Sequence, residues 1–215
     1  MSQVPSSPPS GSPIRQDAAN LARSIFKAYD IRGIVDKTLT EPTVRAVGRV
    51  LGGRARKAGI DAIVVGRDGR LSGPRLAAAL AEGIVDSGVD VIDVGMVPTP
   101  LVYYATVLTG SGSGVAVTGS HNPPEYNGLK MMLGGSTLYG TEISSIADEI
   151  EASRASGDVA AATPGKIIRR DVIEAYVAKV SGDVKLKRPM KIAVDAGNGV
   201  AGEVGPMVLK AIGCE

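Results

Sequence analysis

Three short apolar runs, Ala62 to Val65, Val89 to Val94 and Val115 to Val117, alternate with segments of helical length, Leu76 to Ser87 and Leu101 to Leu108. A strand-then-helix unit repeated at this spacing leaves few architectures open. It predicts an α/β fold in which a parallel or mixed sheet is sandwiched by helices on both faces. A preceding segment, Glu41 to Gly59, reads as an amphipathic helix. Its Val44, Val47, Val50 and Leu51 recur at helical spacing, with Pro42 in the first turn and Gly59 at the end.

The third apolar run opens on a stretch that no regular element can continue. In VAVTGSHNPPEYNGLKMML, Val115 to Leu133, the sequence Asn122-Pro123-Pro124 stops ladder and helix alike, because proline lacks the N–H and fixes φ. Ser120 and His121 are thereby forced onto a loop at a strand end. Asn127-Gly128 reads as a turn, after which Leu129 to Leu133 resumes an apolar run carrying Lys130. One hairpin thus gathers a hydroxyl, an imidazole, an amide and an ammonium. Taken singly, Ser120 is equally a turn residue, His121 a surface imidazole and Lys130 a solvated charge.

Composition removes several function classes. The 24 basic and 22 acidic residues give a net charge of +2, and aromatic residues make up 3% of the 215, so neither a basic excess nor stacking material for a nucleic-acid surface is present. No run of 18 apolar residues is available to span a membrane. The single cysteine, Cys214, excludes an intrachain disulfide and is compatible with a reducing cytoplasm, the expected location. Residues 1–19 are rich in Ser and Pro, as in MSQVPSSPPSGSPIRQD, and read as a disordered tail; Ser and Pro also stand where a signal peptide needs an apolar core.

Familiar catalytic arrangements fit poorly. A serine hydrolase elbow needs glycine two positions after the serine, where Asn122 stands, and its base comes from elsewhere in the fold. The one histidine is adjacent to Ser120, and consecutive side chains are not expected to meet in a nucleophile-to-base hydrogen bond. One His and one Cys cannot build a His/Cys zinc site. Gly197 to Gly202, GNGVAG, fits the GxGxxG of a dinucleotide-binding turn, whose acidic partner some 20 positions later would fall past residue 215.

Arg67, Asp68 and Arg70 follow the first of the three runs, at a strand end where open α/β sheets bind ligands. A solvated turn with a local Arg-Asp pair is the simpler reading of them.

The segment TGSHNPPEYNGLK resembles the phosphoserine loop of the α-D-phosphohexomutases, most closely the bacterial phosphomannomutase/phosphoglucomutase branch. KAYDIRG (Lys27 to Gly33), VGRDGRLSGP (Val65 to Pro74), DVGMVPTP (Asp93 to Pro100) and VDAGNGVAG (Val194 to Gly202) are similar to further segments of that family in the family's order. The resemblance runs from about Ser24 to the last residue. By it, GNGVAG is a tight turn of a second domain rather than a nicotinamide site.

What the resemblance implies is specific. Residues 20–160 would be a complete first domain carrying the serine loop, and 166–215 the start of a second, similar domain, incomplete here, with Ser153 to Gly165 as the boundary. Within 166–215 we expect a helix over Asp171 to Val180, a strand over Lys191 to Asp195 and a helix over Val200 to Ile212. Ser120 would carry the phosphate and give an oxygen to Mg²⁺. His121, Lys130 and Arg32 would assist catalysis, and Tyr29, Arg32 and Asn122 would meet a small-molecule sugar phosphate. Arg32 is equally read from its neighbours as a structural partner of Asp30.

The implied reaction moves a phosphoryl group between the 1 and 6 positions of a hexose, mannose or glucose, through a hexose 1,6-bisphosphate that is also the activator. The family's later metal, sugar-selecting and phosphate-binding loops have no counterpart here, so the chain alone is expected to be inactive. A phosphoglucosamine mutase of the same family, and a non-catalytic binding module, are the alternatives.

Overall fold

The structure is a computed structural model and describes residues 21–156, 161 and 163–215. The tail expected over residues 1–19 lies outside the described residues. Seven strands form one mixed sheet: β1 (Ile31–Ile34), β2 (Ala62–Arg67), β3 (Asp90–Met96), β4 (Gly114–Val117), β5 (Tyr126–Leu133), β6 (Ser136–Thr137) and β7 (Ile167–Arg169). Their order is β1-β5-β4-β2-β3-β7, with β6 paired to β5. Strands β4, β2, β3 and β7 run parallel, while β5 is antiparallel to both β1 and β4.

Alternate residues of the central strands feed two cores. Ile63 and Val65 of β2 and Val115 and Val117 of β4 turn to one face, under α1 (Glu41–Lys57), α2 (Gly73–Asp86) and α4 (Thr141–Ser156). Val64 and Ala116 turn to the other, under α3 (Thr99–Leu108) and residues of α5 (Ile173–Asp183) and α6 (Ala201–Ala211). Burial on both faces explains why these strands read as continuous apolar runs.

Local sequence sets the helix starts. Thr40 caps α1 by accepting from the Thr43 N–H at 3.3 Å, with Pro42 in the first turn where no N–H is missed. Helices α1 and α2 approach closely at glycines: a Cβ on Gly48 would lie 2.3 Å from the Leu80 carbonyl oxygen, and one on Gly83 would lie 2.1 Å from that of Arg45.

The crossovers decide where the site falls. From β2 the chain passes through α2 to β3 on one side, then through α3 back across β2 to β4 on the other. The carboxyl ends of β2 and β4 therefore flank a topological switch point, where such sheets leave a crevice.

Three sequence expectations change. Asn127-Gly128 is no turn but part of β5, because β1 lies so close that a Cβ at residue 128 would stand 2.1 Å from the Ile31 carbonyl oxygen. Ile167–Arg169, placed with the second domain by sequence, pairs with β3 and extends the first sheet, since the free edge of β3 offers it a parallel ladder. Lys191 to Asp195 forms no strand: a single parallel bridge joins Met190 to Cys214, with the Ile192 N–H donating to the Glu215 carbonyl at 2.8 Å and the Glu215 N–H to that of Met190 at 2.9 Å, which is too little pairing for a ladder. Ile192 and Val194 are exposed there. Among the described residues, no helix is long and apolar enough to cross a membrane.

Candidate active site

The loop between β4 and β5 carries Ser120 at the switch point. Ser120 is exposed and adopts φ 52°, in the left-handed region. That conformation costs a non-glycine residue about 1–2 kcal/mol, so its surroundings must impose it.

They do so through the residues that leave β2. Asp68 Oδ2 accepts from the Thr118 hydroxyl at 2.8 Å and from the Gly119 N–H at 2.9 Å. The Ser120 N–H in turn donates to Thr118 Oγ1 at 2.9 Å. Arg70 spreads over the loop carbonyls: Nη1 donates to Pro123 at 2.6 Å and Tyr126 at 2.9 Å, and Nη2 donates to Asn122 at 2.5 Å and Ser120 at 3.2 Å. The simpler sequence reading of a solvated Arg-Asp turn is corrected here. The side chains of Arg70 and Asp68 are 15% and 18% exposed and are spent on the loop, because the adjacent parallel ends of β2 and β4 bring Asp68 beside Val117 and Thr118.

Ser120 Oγ lies 3.3 Å from His121 Nδ1. Consecutive side chains were not expected to meet, but the left-handed backbone at Ser120 turns the two to the same side. Among the described residues no hydrogen bond joins a carboxylate to the His121 ring, so the pair does not extend to a triad.

Arg32 reaches the loop base from β1, and Lys130 of β5 shares its carboxylate partner. Arg32 Nη1 donates to the Thr118 carbonyl at 2.7 Å and Nη2 to Asp30 at 2.5 Å. Lys130 Nζ stands 3.7 Å from the same Asp30 oxygen. Arg32 thus pairs Asp30, as its neighbours suggest, and also holds the backbone where the serine loop begins. Two cations sharing one carboxylate leave a local excess of one positive charge.

The remaining predicted residues divide. Asn122 lines the crevice but donates its amide to the Gly119 carbonyl at 3.1 Å, within the loop itself. Tyr29 is 77% exposed beside β1. A crevice of about 610 Å³ is lined by Arg70, Ser120, Asn122, Pro98 and Thr99, and also by Asn198 to Ala201.

Two of these contributions escaped the sequence reading. Gly119 carries no pattern of its own, yet a Cβ there would lie 1.9 Å from Arg70 Nε. The GNGVAG segment forms a tight turn, as read, with Gly197 at φ 55° and its N–H bonded to Asp195 at 2.8 Å. Its approach to the serine crevice is a tertiary fact.

The described residues contain no group of three His, Cys, Asp or Glu side chains able to hold a metal ion. Ser120 could give a cation one oxygen; a full ligand set is not present among the described residues.

Comparison with known proteins gives the family of this fold. Residues 23–156 match the family model described as phosphoglucomutase/phosphomannomutase, alpha/beta/alpha domain I. The chain is 50% identical over 197 residues to a phosphoglucomutase of Neisseria meningitidis, covering 92% of this chain and 42% of that one. A probable phosphoglucosamine mutase of Thermococcus kodakarensis is 35% identical over 191 residues, 87% of this chain and 41% of that one.

Among solved structures, a phosphoglucomutase/phosphomannomutase family protein from Burkholderia thailandensis superposes with a TM-score of 0.84 at 48% identity, over 91% of this chain and 43% of that one. The chain therefore spans less than half the length of these relatives. A match over more than half of its own length, carrying the serine loop and the sheet that presents it, makes this chain a member of the phosphoglucomutase/phosphomannomutase family.

Proposed function

We propose that this chain supplies the phosphoryl-carrying half of a hexose-phosphate mutase, with Ser120 as the carrier. The observation that supports it most is an exposed serine hydroxyl held on a braced left-handed turn, 3.3 Å from an imidazole, on a loop whose first carbonyl, that of Thr118, is held by Arg32. A phosphoserine brings a charge of about −1.5 to −2 at pH 7, which a wholly apolar pocket would not accommodate.

In the forward half-reaction a sugar hydroxyl oxygen attacks the phosphorus of phosphoserine. The new O–P bond forms as the Ser120 Oγ–P bond breaks, and the proton of the sugar hydroxyl passes to solvent. Ser120 Oγ leaves and takes up a proton, for which His121 Nδ1 is the nearest candidate donor. The resulting hexose 1,6-bisphosphate reorients and returns its other phosphate to Ser120, so that 1-phosphate and 6-phosphate interconvert. Arg32 and Lys130 oppose charge spread over the transferring oxygens.

A Mg²⁺ ion, when bound, would neutralise the same oxygens, with the phosphate on Ser120 giving one of its ligands. The described residues do not complete that site, so no step above depends on it. For the same reason these 215 residues by themselves are expected to show no steady mutase turnover.

Intact-mass measurement with peptide mapping, after incubation with glucose 1,6-bisphosphate and Mg²⁺, tests the proposal. A phosphate on Ser120 supports the donor role; its persistent absence favours a non-catalytic module. Loading by glucosamine 1,6-bisphosphate in preference to the glucose and mannose compounds would favour the phosphoglucosamine reading, for which the Thermococcus relative speaks.

A further inference from the structure

We propose that Arg70, working with Asp68, is the positioning residue of the carrier serine, and that it acts by clamping the loop from both chemical sides at once. The clamp is defined by geometry alone; what the positioned hydroxyl does rests on the phosphoryl-transfer reading above.

The loop cannot satisfy itself. Pro123 and Pro124 contribute no N–H, so the carbonyls of Ser120, Asn122 and Pro123 outnumber the donors that the turn can aim at them. Its own bonds are few: the Asn122 N–H donates to Gly119 and the Tyr126 N–H to Pro123, at 3.1 and 3.0 Å. Arg70 fills the deficit with a guanidinium that meets four carbonyl oxygens, while Asp68 accepts from the Thr118 hydroxyl and the Gly119 N–H on the opposite side.

Clamp and carboxylate are themselves joined. Arg70 Nε lies 3.4 Å from Asp68 Oδ2, and the Arg70 N–H donates to Asp68 Oδ1 at 3.0 Å. Arg70 thus meets four carbonyl oxygens and a carboxylate of its own, whereas Arg32 meets one carbonyl and shares Asp30 with Lys130. The task of Arg70 is the shape of the turn, not the charge of the phosphate.

Only a planar fork with five donors can span these acceptors; an ammonium on a flexible stem cannot. Residue 119 must also stay out of its way. Gly119 is not in the left-handed region, so its backbone would tolerate alanine, and the obstacle to a Cβ is the Arg70 guanidinium at 1.9 Å. The serine, the glycine before it and an arginine fifty positions earlier form one interlocked unit.

The test uses the chain itself, labelled with ¹³C and ¹⁵N, and needs no turnover. In the wild type, Arg70 should give separate, slowly exchanging Nη–H signals, and the Ser120 Cα and Cβ shifts should report a left-handed residue. Arg70→Lys and Arg70→Ala should both lose the Ser120 signature and speed amide exchange over residues 118–126 by about tenfold or more, with α1 and β2 unchanged. Gly119→Ala, which leaves Arg70 in place, should reproduce the effect. Adding it to Arg70→Ala should change nothing further, because both remove one clamp.

A wild-type loop in Arg70→Ala, restoration by lysine, or additive effects in the double variant would overturn the proposal. If the chain loads phosphate, Arg70→Lys should slow loading by about ten- to a hundredfold at nearly unchanged half-saturating bisphosphate, since a misplaced nucleophile costs rate rather than binding. If no variant loads, the wild type included, the donor reading fails and the exchange data alone decide the clamp.

Discussion

Arg32 Nη1 donates to the carbonyl oxygen of Thr118 at 2.7 Å, tying β1 to the point where β4 gives way to the serine loop. The same guanidinium pairs Asp30, and the two side chains are only 10% and 17% exposed. Removing it strands a mostly buried carboxylate with Lys130 alone. Arg32→Ala should cost about 1.5–3 kcal/mol of stability, read from the urea midpoint, and should abolish phosphate loading of Ser120. Arg32→Lys should recover part of the stability but not the Thr118 bond, whose geometry needs the fork.

Ser120→Ala separates chemistry from folding. Ser120 is exposed, and among the described residues its hydroxyl is bonded only to His121. Urea unfolding should therefore shift by less than about 0.5 kcal/mol, while mapped phosphate on the loop disappears. A large loss of stability would mean that the hydroxyl has a structural partner.

Glycines along α1 and α2 should respond in opposite directions. At Gly48 and Gly83 an added methyl meets backbone carbonyls at 2.3 and 2.1 Å, which cannot rotate away. Alanine at either position should push the helices apart and cost about 1–3 kcal/mol. Gly53, also on α1, has nothing within 4 Å of its would-be Cβ, so Gly53→Ala should stabilise by about 0.5–1 kcal/mol. Parallel urea titrations of the three variants check the contrast.

Acid sensitivity has a located source. Hydrogen bonding from Arg75 holds the Asp36 carboxyl below its ordinary value of 3.8, against a smaller opposing effect of burial. A depressed carboxylate stabilises the folded state above its unfolded value, and that contribution is lost as pH falls through the folded one. The wild type should accordingly exceed Asp36→Asn in stability above pH 3.8, by a small amount because the pair is exposed, and the gap should close on further acidification. Paired denaturation curves at several pH values would show it.

Much of the fold was legible in the residues. Val44, Val47, Val50 and Leu51 marked α1 by their spacing, and the alternating apolar runs announced a helix-covered sheet. The prolines after Asn122 located the serine loop, because a missing N–H is a property of the residue itself. Ser120, His121, Lys130 and Arg32 are singled out by the resemblance of TGSHNPPEYNGLK and KAYDIRG to the family's segments, since each taken singly reads equally as a turn, surface or paired residue.

What the chain could not announce was which groups meet across distance. Asn127-Gly128 has the local preference of a turn, yet β1 packing against it makes it strand, as tertiary contact overrides a propensity worth about 1 kcal/mol. Asp68 and Arg70 read as a solvated pair until parallel strand ends laid them against the loop. Local chemistry, in short, is fixed by covalent identity and dihedral preference, whereas the bracing of Ser120 depends on a crossover order that sums over the whole sheet.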